Sequence, residues 1–379
     1  MNRRDFMKLS ALGALPFSTG LLSQQAHSAP HQKRILVLVE LQGGNDSLNT
    51  LIPFRDQEYY RLRPTIAERN GLPITSSLAM NPNMRALLPY WQDTKDLAWI
   101  QGVGLPESRR SRSHFNSIRL LDHALNRHGN EGWLTRLLNA SHDISGVSFA
   151  TTLGPLDGSK TNSIRIDNIN NFIRDNQLME NTRVQHHNDA MSYLRDTERK
   201  VISSSHTLGQ YLQHTPDESR NFPNSKFGKE MASVARLINS GVGIPSYKVT
   251  LSGFDTHKRQ SSSHGTLLAD LANTLHHFAQ NMKNHGQWNN IMVMTYSEFG
   301  RQVKENGNQG TDHGEASAYL VMGGRVRGGR VFGTNPDLRN LHNNALRHTL
   351  DIRSVYSTIA SQWWGLHSPW SYPIVPFVA

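Results

Sequence analysis

Cysteine is absent from the sequence. That absence excludes disulfides, zinc–thiolate centres and a cysteine nucleophile. Long apolar runs are absent as well. No segment approaches about 18 uninterrupted apolar residues, so no permanent membrane span is expected. The patterns of helix-turn-helix, RNP and zinc-finger modules are missing, and nucleic acid is therefore not an expected partner. There is no internal repeat and no long low-complexity tract, which argues against a solenoid.

What remains is a basic, histidine-rich chain. The formal net charge is +10, and there are 19 histidines. Residues 1–28 contribute +2 of that charge through Arg3, Arg4, Lys8 and Asp5. In Met1-Asn2-Arg3-Arg4-Asp5-Phe6-Met7-Lys8 an arginine pair precedes the mildly apolar stretch Leu9 to Leu22. Ala26-His27-Ser28 then places small residues where a signal peptidase reads them. This three-part layout predicts an export signal over residues 1–28. The arginine pair followed by Phe6 and Lys8 points to the twin-arginine export machinery as a partner, and to a periplasmic or secreted destination. An uncleaved anchor is the alternative, but the apolar stretch is too short and too interrupted to span a bilayer.

The remainder, 29–379, is long enough for one large α/β domain. Arg34 to Leu41 is a nearly continuous apolar run and predicts a buried parallel strand. Further strands are expected at Leu97–Gly102, Val147–Ala150, Tyr247–Leu251, Asn290–Tyr296 and Ala318–Met322. Between them, Phe227, Met231, Val234, Leu237 and Ile238 follow the helical period, with Gly241 as a stop. Leu267, Leu271, Leu275, Phe278 and Met282 do the same, with Ser263 as the expected cap and Gly286 as the stop. Strands alternating with such helices predict a doubly wound, mostly parallel sheet. The segment from about 154 to 245 is rich in polar residues, with a helix-like stretch near 188–212. It is expected to be a polar helical insertion or cap over the sheet.

In open α/β sheets, ligands bind beyond the carboxyl ends of the strands. Four polar motifs fall at such ends. Asn45 and Asp46 follow the first strand. Asp255 and His257 lie in Gly253-Phe254-Asp255-Thr256-His257, and Glu298 in Ser297-Glu298-Phe299-Gly300-Arg301. Asp312 and His313 lie in Gly310-Thr311-Asp312-His313-Gly314. Carboxylates with imidazoles and without thiolates suit a divalent metal: Zn²⁺, Mn²⁺, Mg²⁺ or Ca²⁺. Taken singly, each acid is more often a turn-former and each histidine a satisfied loop residue; their joint placement at strand ends brings the metal reading level with that one. Ser113, in Ser111-Arg112-Ser113-His114-Phe115, sits where a helix should begin. It is either the helix cap or a nucleophile facing an anion-favouring helix terminus. Arg112 is a candidate for holding an anionic substrate.

These motifs, in this order, resemble the bacterial DUF1501 family. The resemblance rests on Leu41-Gln42-Gly43-Gly44-Asn45-Asp46, Tyr59-Tyr60 with Arg63-Pro64, Ser111 to Phe115, Gly253 to His257, Ser297 to Arg301, Gly310 to Gly314 and Gly323 to Gly329, together with the arginine leader. The family is similar to remote members of the alkaline phosphatase-like superfamily, which includes phosphatases, sulfatases and phosphomutases. The resemblance implies a two-metal site with a hydroxyl nucleophile at a helix start. It places Asp46 as the early metal-binding acid and Ser113 as the nucleophile. Asp255 with His257 becomes a ligand pair, and Asp312 or His313 a late ligand. Glu298 stands where the superfamily commonly has an Asp-His pair. Formylglycine chemistry does not fit, because no cysteine exists and Ser113 is followed by His114-Phe115-Asn116. The implied function is a metal-dependent hydrolase of phosphate or sulfate esters or a related small anionic substrate. The alternative is a non-catalytic exported binding or envelope-associated protein on the same fold.

Overall fold

The computed structural model describes residues 34–126, 129–138, 143–180 and 189–379. The expected leader at 1–28 lies outside the described residues. Strand β1 spans Ile35–Gln42, and a short helix α1, Ser47–Thr50, follows it. Then come β2 (Leu97–Gly104), helix α2 (His114–Asp122), β3 (Gly146–Ser148) and β4 (Ser163–Arg165). Helices α3 (Ile169–Glu180), α4 (Asp189–Leu212) and α5 (Lys226–Asn239) precede β5 (Ser246–Ser252). Helix α6 (Gln260–Asn284) leads to β6 (Ile291–Tyr296) and β7 (Ser317–Met322). The chain closes with β8 (Arg330–Phe332), β9 (Leu350–Asp351) and α7 (Ile352–Thr358).

Among the described residues these strands form one nine-stranded sheet in the order β8-β2-β7-β6-β1-β5-β3-β4, with β9 also pairing β2. All pairings are parallel except those of β7, which runs antiparallel to β2 and β6. The sequence pattern marks β7 as an apolar run but carries no sign of its direction.

Alternation along β1 shows why both faces are covered. Val37, Val39 and Leu41 join the core under α5 and α6, with Met231, Val234, Leu271, Leu275 and Phe278. Leu36 and Leu38 join the opposite core with Trp133, Tyr356 and Trp363. Each such side chain contributes roughly 1.5–3 kcal/mol by leaving water. Glu40 interrupts the run. Its buried carboxylate is paired with buried Lys248 of the neighbouring strand at 2.9 Å.

Two local expectations change. Ser263 does not cap α6: the helix starts at Gln260, and Ser263 lies inside it with its hydroxyl on the carbonyl of Gln260. The segment expected as a cap over the sheet supplies strand β4 at its edge. It also supplies core residues Ile164, Ile166, Leu208 and Leu212. A few apolar residues at wide spacing suffice for an edge strand, and they are diluted in a polar stretch. No helix of the described residues is long and apolar enough to cross a membrane.

Candidate functional site

The parallel strands β1, β5, β6 and β2 end on the same edge, and their following loops meet there. Close backbone approach makes this possible. Gly43 has φ +118, and a Cβ on it would lie 2.3 Å from the Asp255 nitrogen. Only glycine allows both the conformation and the approach. A Cβ on Gly310 would lie 2.2 Å from the His257 carbonyl carbon, which brings the 310–313 turn against the loop after β5.

Arg301 then fastens the loops from beneath. Its fully buried guanidinium donates to the carbonyls of Gly43, Gly44 (2.7 Å), Phe254 (2.8 Å) and Thr311 (2.9 Å), and to Asp255 Oδ1 at 2.6 Å. Ser297 locks the same junction. Its hydroxyl donates to the Leu41 carbonyl and accepts from the Asn45 N–H.

Above Arg301, three imidazoles converge on Asp255. The Nε2 atoms of His257, His313 and His114 lie 3.0, 3.1 and 3.6 Å from Asp255 Oδ1. His313 Nε2 is 3.1 Å from His114 Nε2 and 3.0 Å from His257 Nε2. The other ring nitrogens are all held. His114 Nδ1 faces Glu298 Oε1 at 2.7 Å, His257 Nδ1 faces Asp312 Oδ1 at 3.0 Å, and His313 Nδ1 faces the Arg112 carbonyl at 2.8 Å.

A carbonyl or carboxylate oxygen only accepts, so each Nδ1 carries the proton. With that proton placed, each Nε2 is either a donor to the Asp255 carboxylate or, with a cation at the cluster, a ligand to it. Ligand atoms of His114, His313 and Asp255, one from each, lie within 4.8 Å of one another, a grouping that could hold a metal ion, and His257 stands beside it with Nε2 3.0 Å from Asp255 Oδ1. Two ligands bound to zinc at about 2.0–2.1 Å in tetrahedral geometry are about 3.3 Å apart. The separations among Asp255, His313 and His114, 3.1 to 3.6 Å, bracket that value. Oxygen or carboxylate acceptors behind metal-binding histidines are the usual way such rings are oriented. The donor set therefore fits a divalent ion.

Electrostatics agree with the geometry. Burial disfavours the charged form of Asp255, but hydrogen bonds from Arg301 and His313 and the charge of Arg301 outweigh it, and its carboxyl titrates at about 2. The Asn306 amide, against a burial penalty and with help from His257, holds Asp312 below its ordinary range. Both acids are thus anionic at neutral pH. Asp255 is 48% exposed at the side chain, so the cluster is open to solvent.

The expected site residues divide. Asp255, His257 and His313 meet at the centre. Glu298 and Asp312 stand behind histidines rather than at the centre. Asp46 is elsewhere: buried, it caps α1 through Leu48 N–H and pairs with buried Arg63 at 2.6 and 3.0 Å, while Gln260 takes a further lone pair. Burial opposes its charge, and the charge and hydrogen bonds of Arg63 overcome it, so its carboxyl sits below the ordinary range. Arg112 reaches the cluster through its carbonyl; its guanidinium lies on Glu315 and on the carbonyls of His342 and Asn343. Ser113 is exposed and caps α2, its hydroxyl 3.5 Å from the Asn116 nitrogen. His114 was not among the residues expected as ligands. Its sequence signal is its place in Ser111-Arg112-Ser113-His114-Phe115, at the first position of α2. Buried Arg301 and Arg63 were likewise unexpected, since sequence gives no measure of a guanidinium's burial.

The molecule is thus an α/β protein with a histidine–carboxylate cluster at the carboxyl edge of a mostly parallel sheet. Residues 123–369 match the family model described as "Protein of unknown function (DUF1501)". The chain belongs to the DUF1501 family. The matched span holds Asp255, His257, Glu298, Asp312 and His313 and begins after His114. No curated protein matches the sequence.

Among solved structures, the chain is similar to the lipoteichoic acid synthase LtaP from Listeria monocytogenes at 12% identity and a TM-score of 0.34, covering 89% of this chain and 74% of that one. It is similar to murine ectonucleotide pyrophosphatase/phosphodiesterase 5, solved as an inactive form with AMP, at 9% identity and a TM-score of 0.40, covering 90% and 97%. It is also similar to the PsFucS1 sulfatase from Pseudoalteromonas sp. at 11% identity and a TM-score of 0.39, covering 88% and 68%. Likeness at this level assigns neither substrate nor activity.

Proposed function

We propose that the protein binds one divalent metal ion through His114, His313 and Asp255, with His257 beside them, and hydrolyses a small anionic ester, a phosphate or a sulfate. The observation that carries this reading is the convergence of three imidazole Nε2 atoms on Asp255 Oδ1, each ring fixed by an acceptor at its far side. Three imidazoles with one carboxylate favour zinc over magnesium or calcium, which prefer oxygen ligands. Such an ion supplies Lewis acidity and lowers the pKa of a hydroxyl or water bound to it.

The chain's own groups do the rest. Glu298 and Asp312 keep the protons on Nδ1 of His114 and His257. Arg301 holds Asp255 in place through the same oxygen that the histidines approach. Ser113, exposed at the start of α2 and adjacent to His114, is the proposed attacking hydroxyl. Lys258 and Arg259 are exposed directly after His257 and favour an anionic partner. Export through the twin-arginine route, by residues 1–28, belongs to the same proposal and would place the activity outside the cytoplasm.

The test is elemental analysis of the purified protein joined to hydrolysis of p-nitrophenyl phosphate, bis-p-nitrophenyl phosphate and p-nitrophenyl sulfate. Wild type is expected to carry near-stoichiometric metal and to lose stability with a chelator, because a ligand of the folded state is linked to folding. His313→Ala and Asp255→Ala are expected to lose both metal and hydrolysis. Metal-free wild type with a melting temperature indifferent to chelator would sink the proposal. Bound metal without hydrolysis of any ester would leave the binding-protein reading.

A further inference from the structure

Asp46 follows β1 at the carboxyl edge, yet its own partners lie away from the imidazole cluster. One side chain joins it to the loops that form the cluster. Gln260, the first residue of α6, is fully buried and bridges the loop after β1, the loop after β5 and the 310–313 turn. Its amide nitrogen donates to Asp46 Oδ2, and its amide oxygen accepts from the hydroxyls of Thr311 at 2.6 Å and Thr256 at 3.0 Å. Thr256 stands between Asp255 and His257, and Thr311 stands directly before Asp312 and His313. Both threonines are buried.

The direction of these bonds is forced. The carboxyl of Asp46 is held in its anionic form and only accepts, so the amide must turn its nitrogen toward it. That leaves the amide oxygen to the threonines, and each hydroxyl donates. Two loops therefore end on one atom, whose orientation is fixed by the buried pair of Asp46 and Arg63. A charge at the end of such a chain polarises it and strengthens each bond. Backbone bonds run beside it: Thr311 N–H donates to the Thr256 carbonyl at 3.1 Å, and Gln260 N–H to the Gln309 carbonyl at 2.9 Å. The Nε2 atoms of His257 and His313 lie 3.0 Å apart, so a small change in the separation of the two loops acts directly on the rings.

We infer that Gln260 is a positioning residue: anchored on the Asp46–Arg63 pair, it sets the spacing of the His257 and His313 loops and, through that spacing, the affinity of the cluster for a metal ion. The last step alone rests on the metal reading proposed above.

The experiment records the imidazole resonances of the full chain, labelled in histidine, with chelator present, and then measures zinc affinity by competitive chelation. Gln260→Met keeps the length of the side chain and removes both ends of the bridge. It is expected to shift the His257 and His313 resonances, to leave that of His367 in place, and to lower zinc affinity about 10-fold, the low end for groups behind metal ligands. Thr311→Val is expected to act in the same direction and less strongly. Thr311→Ser, which keeps the hydroxyl, is expected to retain wild-type values. A purely structural role would lower the melting temperature of Gln260→Met while leaving the ring resonances, or the affinity of a zinc-binding protein, as they are in wild type; either result overturns the inference. So does a Thr311→Val variant indistinguishable from Thr311→Ser. Shifted resonances in a protein whose wild type binds no zinc would uphold the positioning role and sink the metal reading instead. Where Gln260→Met does not fold, the two Thr311 variants carry the test.

Discussion

Asp46 and Asp255 follow neighbouring parallel strands, both at the carboxyl edge, and both read as metal-binding acids in the sequence. Their surroundings differ in one respect. Asp46 meets a cation that the chain itself provides: Arg63, buried with it, engages both oxygens. Asp255 also has an arginine, but Arg301 spends most of its donors on the carbonyls of Gly43, Gly44, Phe254 and Thr311. The same Oδ1 of Asp255 is approached by the Nε2 atoms of three histidines at 3.0 to 3.6 Å, and the side chain is 48% exposed. A strand-end carboxylate is thus structural when the fold buries it with a cation of its own, and available when the fold leaves it partly exposed among imidazoles. The net charge at the place decides, and neither residue type nor position on the sheet edge reveals it.

The largest expected effect tests the closed member of this comparison. Arg63→Ala takes the paired cation from the buried Asp46 carboxylate, which keeps the Leu48 N–H and Gln260, and leaves the Asn49 oxygen with Tyr59 alone of its two donors. Breaking a buried pair in this way costs about 3–5 kcal/mol. For a chain of this length the melting temperature is expected to fall by on the order of 10 °C. The pH dependence follows from the lowered Asp46 carboxyl. The pair contributes fully above the unfolded carboxyl value of about 3.9, and the contribution is lost as pH falls through the lower folded value. Arg63→Ala should therefore also lose part of the steep acid limb seen in wild type by thermal denaturation. An unchanged melting temperature would mean that Arg63 does not complete Asp46, and Asp46 would return as a candidate ligand.

The comparison also marks the limit of what sequence conveys. Strands β1, β2, β5, β6 and β7 were legible because each is a short apolar run ending in a turn. The glycine stops after α5 and α6 were legible because Gly241 and Gly286 take positive φ. The gathering of Asp255, His257 and His313 was legible as well, since parallel strands deliver their following loops to one edge. Three things were not. The reversal of β7 depends on a connection whose path no pattern encodes. The division of acids into central and supporting roles depends on which side of a ring each reaches: Glu298 and Asp312 lie behind histidines by a matter of a few ångströms. His114 meets His313 across 199 positions, and local spacing carries no trace of so distant a contact.

A smaller effect sharpens the open member. Glu298, buried at the start of the loop after β6, accepts from Gly43 N–H and holds His114 Nδ1. Glu298→Gln keeps size and hydrogen-bonding capacity but removes the charge that makes His114 a stronger donor to a cation. Outer partners of this kind are typically worth 10–100-fold in metal affinity, about 1.4–2.7 kcal/mol. A competitive-chelator titration is expected to show that loss with the fold intact by circular dichroism. If affinity does not change, Glu298 is a backbone tie for Gly43 and nothing more.

The smallest expected change in stability is at Ser113, and it separates two roles that one side chain can play. As a helix cap, Ser113 accepts from Asn116 N–H at 3.5 Å, long for a hydrogen bond and exposed to water. Removing a good cap costs about 0.5–2 kcal/mol, so a bond this long places Ser113→Ala at the lower end, about 0.5 kcal/mol. The melting temperature should therefore move by only a degree or two, and metal content should not move, because the hydroxyl is not among the groups that converge on Asp255. Hydrolysis is where the roles part. If Ser113 attacks the ester, Ser113→Ala loses turnover while retaining metal, whereas Ser113→Thr, which keeps a hydroxyl and a cap, retains part of it. If water at the metal attacks instead, Ser113→Ala keeps its turnover within the small change that a loosened helix start produces. A variant with full metal, near-wild-type melting temperature and unaltered turnover would reduce Ser113 to a cap. The chemistry would then rest with the imidazole cluster alone.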